Sequence, residues 1–226
     1  DVYYVLDISG SMDAAYSADS SITKLAAAKQ AIIDTNAMIA GFGNGSRAGL
    51  VTYRGGTSVY GSPPRMDVFA TTNQSLTTNF AALNTTVNGL TASGSTPTSL
   101  GLYHVGNAMA SHNTSGRIPV VIFLSDGVPT NDYVNTSYAR RFYDADVQAV
   151  SLLTSGGAFR SIADVRQSGQ AYNEYNLRAG EPLADAMEAI NAVHTDNPSF
   201  VFHSVAIQGD EIFNDGILRY VSHVGN

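Results

Sequence analysis

Apolar residues form two kinds of pattern along this chain: short unbroken runs, and longer stretches spaced at three and four. Val2 to Leu6 (VYYVL) is unbroken, rich in β-forming side chains and stopped by Asp7, which predicts a strand buried on both faces. Ser21 to Gly41 follows, with Leu25, Ala28, Ile32 and Ile39 on one helical face and a closing glycine. The loop Gly43-Asn44-Gly45-Ser46 leads to a second strand, Ala48 to Tyr53, and a Gly/Pro-rich connection leads to a third, Asp67 to Ala70. Helical spacing returns at Phe80 to Gly89 and Ser99 to Ser111. Ile118 to Leu124 (IPVVIFL) is the most apolar strand, broken by Ser125-Asp126-Gly127. Near the end, Leu183, Met187, Ile190 and His194 line one helical face. Phe200 to Ile207 reads as a strand and Glu211 to Val221 as a last helix.

Strands alternating with helices imply right-handed crossovers and an α/β fold, with a mostly parallel, doubly wound sheet flanked by helices. The Val2 and Ile118 strands, apolar on both faces, are expected side by side at its centre. The 226 residues suit one domain, residues 1–226, with an insertion at about 130–182 that is longer than a crossover needs. That insertion holds Tyr133, Tyr138, Tyr143, Tyr172 and Tyr175, and the arginines Arg140, Arg141, Arg160, Arg166 and Arg178. Within it, Asp144 to Leu153 fits a helix or a helix running into a strand.

Composition narrows the function. A formal net charge of −7 and scattered basic residues argue against nucleic acid as a partner. No apolar run is long enough to span a bilayer, so no membrane insertion by this segment is expected. Without cysteine there is no disulfide framework, thiolate metal site or cysteine nucleophile. Only Lys24 and Lys29 are lysines, whereas Ser, Thr, Asn, Gly and Tyr are plentiful, a balance that leans towards a secreted or surface protein. The start at Asp1, almost at once in a strand, is expected of a piece of a longer polypeptide.

The candidate chemistry lies where strands end. Asp7-Ile8-Ser9-Gly10-Ser11 delivers an acid and two hydroxyls at i, i+2 and i+4, where a strand merely re-entering solvent needs one polar residue. Asp126 follows the other central strand, and Ser95-Thr96-Pro97-Thr98-Ser99-Leu100-Gly101 opens a helix between them in sequence. Ligands of open α/β sheets sit at the carboxyl ends of the strands. Two carboxylates with hydroxyls, and no nitrogen or sulfur, make a hard-oxygen set suited to Mg²⁺ or Mn²⁺ rather than Zn²⁺. Gly43 to Ala48 fits a dinucleotide pattern, but it follows a helix and precedes a strand, so it is a loop. No hydrolase, zinc-protease, P-loop or EF-hand motif occurs, and no histidine lies in a metal-binding motif.

These three segments together resemble the metal-ion-dependent adhesion site (MIDAS) of von Willebrand factor A (vWA) and integrin I domains, whose pattern is D-x-S-x-S, a distant Thr and a distant Asp after a strand. The resemblance covers Asp1 to about Asn131 and resumes from Pro182, and it implies a Rossmann-like vWA fold. It further implies that Ser9, Ser11 and Thr98 give hydroxyls to one Mg²⁺ or Mn²⁺ ion, with Asp7 and Asp126 acting partly through water. Thr98 matches the family better than Thr96. The ion would keep one position open for an acidic side chain of a partner protein.

The expected function is therefore a non-enzymatic, metal-dependent protein-binding (adhesion) module of a longer extracellular or cell-surface protein, of microbial origin. Its partner would be a host or matrix protein offering a carboxylate. The alternative is an intracellular vWA scaffold of a multi-subunit ATPase- or chelatase-type assembly. An enzyme would want a base or nucleophile beside the metal, and the sequence offers none. In the insertion, Tyr133, Tyr138, Arg140 and Arg141 are the candidate partner contacts, since tyrosine and arginine suit interfaces.

Overall fold

The computed structural model describes residues 1–17, 21–58, 65–111, 116–127, 129–131, 138–139, 154–155, 158–167, 171–172, 177–178, 180–208 and 216–225. In chain order the elements open with β1 (Val2–Asp7), a 3-10 turn (Gly10–Asp13), α1 (Lys24–Gly41), β2 (Ala48–Gly55) and β3 (Met66–Thr77). Then come α2 (Phe80–Asn88), α3 (Thr98–Ala110) and β4 (Val120–Ser125). Next come the two-residue strands β5 (Tyr138–Ala139), β6 (Thr154–Ser155), β7 (Ala158–Phe159), β8 (Ala171–Tyr172) and β9 (Leu177–Arg178), with a short helix α4 (Ile162–Arg166) between β7 and β8. α5 (Glu181–Asp196), β10 (Val201–Ala206) and α6 (Gly216–Val224) complete the order.

Six strands form the main sheet in the order β10-β4-β1-β2-β3-β5. β1 pairs in parallel with both β2 and β4, and β10 adds in parallel outside β4. The two unbroken apolar runs are thus neighbours at the centre, as their two-sided burial requires. Side chains alternate between two cores. Tyr3, Val5, Val51, Tyr53, Val121 and Phe123 pack with residues of α3, α5 and α6 on one face. Tyr4, Leu6, Leu50 and Leu124 pack with residues of α1 and α2 on the other. The result is the doubly wound, mostly parallel sheet expected of the sequence.

Of the last helix expected over Glu211 to Val221, residues 211–215 lie outside the described residues and the helix runs on to Val224. Two further elements differ from the sequence-based expectation. β3 runs on to Thr77 rather than stopping at Ala70, and it is antiparallel to β2. Its distal half (Thr71 to Ser75) is polar and mostly half-buried or exposed, so apolar patterning ends before the strand does. The ladder with β2 supplies the order that side-chain burial does not. α1 begins at Lys24 rather than Ser21: Thr23 Oγ1 accepts from Ala26 N at 3.1 Å, and the preceding residues turn back in a bridge between Ala15 and Thr23.

Candidate metal site

Asp7 closes β1, and Asp126 follows the last residue of β4, so the central strands carry both acids to one end of the sheet. Asp7 is fully buried. Its Oδ1 accepts from Ser9 N at 2.8 Å and its Oδ2 from Ser125 Oγ at 2.8 Å. The first bond curls the chain into the 3-10 turn, for which Ser9 is the extended N-terminal residue. The turn brings the next hydroxyl round: Ser9 Oγ and Ser11 Oγ lie 3.1 Å apart, and Ser11 Oγ donates to Asp126 Oδ1 at 3.1 Å. Ser9 is buried and Ser11 exposed, so the cluster opens to solvent on the Ser11 side.

The third segment is stitched to the first, and to the end of β2, by main-chain bonds. Ser93 N donates to Ile8 O, Gly10 N to Gly94 O and Gly55 N to Ser95 O, at 2.7 to 2.8 Å. Gly94 has φ +78°, and a Cβ there would lie 1.8 Å from Gly55 O, so only glycine fits this close crossing. α3 then starts at Thr98. Gly101, one turn on, lets the helix press against the Tyr53 ring, where a Cβ would sit 2.5 Å away. Thr98 and Ser99 are buried, and their hydroxyl oxygens have no hydrogen-bond partner. The Tyr53 hydroxyl is likewise buried without a regular partner, so Thr98 keeps an oxygen that is not committed to a hydrogen bond.

Burial first, and the Asp126 charge second, push the Asp7 carboxyl up to about 7, against the pull of its bonds from Ser9 and Ser125. Tyr53, stacked on Phe123 at 5.6 Å, is held well above its ordinary pKa by burial and then by the Asp7 charge. Its buried hydroxyl lies beside Ser125 and Thr98, which places Thr98 in the same cluster as the acids. One cation is already present: Lys24 Nζ lies 3.2 Å from Asp126 Oδ2, with side chains 3% and 6% exposed. Two carboxylates and three hydroxyls, one of them unpartnered, fit a hard divalent cation better than a nitrogen- or sulfur-seeking one. Among the described residues no three His, Cys, Asp or Glu side chains gather at any point, this cluster of two acids included.

The five residues singled out in the sequence, Asp7, Ser9, Ser11, Thr98 and Asp126, are thus brought together. Between the two threonines, Thr98 carries the unpartnered hydroxyl, while the main chain of Thr96 is tied to Thr130: Thr96 N donates to Thr130 Oγ1 and Thr130 N to Thr96 O, each at 3.0 Å. Those bonds also start the insertion at the rim of the cluster. Of the candidate partner contacts, Tyr133, Arg140 and Arg141 lie outside the described residues, as does 144–153. Tyr138 is described only in its main chain, paired with Asp67.

Sequence reasoning missed Lys24, Ser125 and Tyr53. Ser125 sits beside Asp126 in the Ser125-Asp126-Gly127 strand end, whereas nothing in the sequence ties Lys24 to Asp126. Tyr53 had no signal, because it reads as one more apolar strand residue.

Comparison with known proteins places this geometry. The family model for the von Willebrand factor type A domain matches residues 2–128. No curated protein gives a significant sequence match. Among solved structures, the three N-terminal domains of the type V pili tip protein Mfa5 from Porphyromonas gingivalis align with a TM-score of 0.62 at 15% identity, covering 99% of this chain and 46% of that one. The PilB minor pilin from Streptococcus sanguinis aligns at 0.63 and 14%, covering 99% and 54%. The conserved hypothetical protein BatB from Bacteroides thetaiotaomicron aligns at 0.55 and 14%, covering 99% and 85%. This chain therefore spans about half the length of the two pilus structures. At such identities the alignments establish the fold, and with the family match over more than half the residues they lead to one conclusion: the chain belongs to the von Willebrand factor type A domain family.

Proposed function

We propose that residues 1–226 form one vWA domain, with an insertion at about 130–182, that acts as a non-catalytic, metal-dependent protein-binding module on a cell surface, within a longer chain. The observation that carries this reading is the cluster of Asp7, Ser9, Ser11, Thr98 and Asp126, with a buried Thr98 hydroxyl that lies beside the Tyr53 hydroxyl and makes no regular hydrogen bond. In this reading those five hold one Mg²⁺ or Mn²⁺, which when bound supplies an open coordination position for a carboxylate of a partner protein. Asp7 anchors from within, its two oxygens oriented by Ser9 N and Ser125 Oγ. Ser11, bonded to Asp126, forms the solvent-facing side. The pilus tip protein and minor pilin among the structural neighbours support a surface adhesion role. Tyr and Arg side chains of the insertion, Tyr133, Tyr138, Arg140 and Arg141 among them, then select the partner, since a metal–carboxylate contact is generic. The module is read as non-catalytic because, among the described residues, no free base accompanies the two acids.

Calorimetric titration of MgCl₂ into the parent and into Asp7→Ala tests the assignment. The parent should bind one equivalent and the variant none; equal affinity in both would sink it.

A further inference from the structure

We propose that Lys24 is a resident competitor for the divalent cation: its ammonium holds Asp126 in the metal-free domain and lowers the affinity of the site for Mg²⁺ and Mn²⁺. The inference rests on the metal-binding reading given above. Lys24 is the first residue of α1, placed there by the Thr23 cap and by its own N–H donating to Ala14 O at 2.9 Å. From that position its side chain does not reach solvent, as lysines ordinarily do, but runs inward and is 3% exposed. Nζ meets Asp126 Oδ2 at 3.2 Å while Ser11 Oγ donates to Oδ1 at 3.1 Å, so both oxygens of this acid are engaged, from two sides.

A buried ion pair contributes little net stability compared with apolar residues of the same volume. Packing alone therefore does not account for one of only two lysines in the chain lying against a candidate ligand. Its electrostatic effect is plain. Asp7 and Asp126, both ionised, would present two negative charges, and Lys24 reduces the total to one. Little of that is screened, because all three side chains are buried. A cation drawing on Asp126 meets a neighbouring positive charge and a carboxylate already committed to it. The same ammonium keeps the metal-free cluster from suffering the full repulsion of its two acids, so the device exchanges affinity for stability of the empty site. The opposing role is that Lys24 only positions Asp126, in which case losing it weakens metal binding.

Titration of MgCl₂ and MnCl₂ into the parent, Lys24→Met, Lys24→Gln and Lys24→Arg separates these roles, with thermal melts in EDTA alongside. Both neutral variants are expected to bind at least about tenfold more tightly and to melt lower in EDTA, whereas Lys24→Arg, which keeps the charge, stays near the parent. Should one neutral variant fail to fold, the other decides. Binding seen only in the neutral variants supports the competitor role in its strongest form. Unchanged affinity in the neutral variants makes Lys24 a bystander, and weaker affinity makes it a positioning residue; either overturns the proposal. Absence of binding in the parent and in both neutral variants overturns the metal-site reading as well, which a mere failure of the Lys24 proposal leaves standing.

Discussion

Asp7 shows what a site residue costs its own fold. It is buried and bonded at both oxygens, yet burial and the Asp126 charge raise its carboxyl from 3.8 to about 7. A raised acid contributes stability that is fully present below its unfolded value and is lost as pH rises through its folded one. For Asp7 that window runs from about pH 4 to about pH 7, and the loss across it reaches on the order of 4 kcal/mol. In EDTA, Asp7→Asn should therefore be more stable than the parent at pH 8, with the difference shrinking towards pH 4. Urea titrations at both pH values measure this; a difference independent of pH would contradict it. The same variant should lose Mg²⁺ binding, since the amide cannot supply the charge.

At the scale of elements, the first turn of α3 couples packing to the site. In an exposed helix, Gly→Ala gains about 1 kcal/mol from propensity. At Gly101 the added Cβ would lie 2.5 Å from the Tyr53 ring, which is itself stacked on Phe123, so nothing nearby yields easily. Overpacking of this kind costs about 1–3 kcal/mol, which outweighs the propensity gain. Gly101→Ala should thus lower the urea midpoint. Because Thr98 stands one turn away on the same helix, Mg²⁺ affinity should fall with it. A stabilised variant with unchanged affinity would show that α3 is free to shift without moving Thr98.

Across the whole molecule, the insertion has two parts with different work. Its start is bonded to the rim through Thr130, and Asn131 Nδ2 contacts Met66 Sδ at 2.9 Å. Farther on, α4 packs on the domain: Val165 is fully buried in the core, and Phe159 meets Tyr220 edge-to-face at 5.0 Å. Arg166 bonds Asp185 at 2.7 Å and Glu188 at 2.8 Å, both on α5. Asp185 is buried, so removing Arg166 takes a charge-assisted hydrogen bond from a buried acid, a cost of about 1–3 kcal/mol. Arg166→Ala should lower the melting temperature by several degrees, about 2–4 °C per kcal/mol for a domain of this size, while Mg²⁺ affinity stays at the parent value. An unchanged melting temperature would mean that α4 does not brace the fold. α4 thus reads as part of the packing of the domain itself.

The central strands, their two-sided burial and the oxygen cluster at their ends were legible in the sequence for one physical reason. A buried parallel strand must be an unbroken apolar run, and the point where it breaks marks where polar side chains are released. Asp7, Ser9 and Ser11 lie within five residues, so one local turn gathers them whatever the rest of the chain does. The distal half of β3 left no such trace, because its order comes from ladder bonds to β2 and not from a buried face. Lys24 against Asp126 and the Tyr53 hydroxyl beside Thr98 left none either: these residues stand far apart in sequence, 102 positions in the first case, and share no periodicity. Only the folded sheet, by fixing where the start of α1, the end of β2 and the loop after β4 meet, decided which groups face the oxygen cluster.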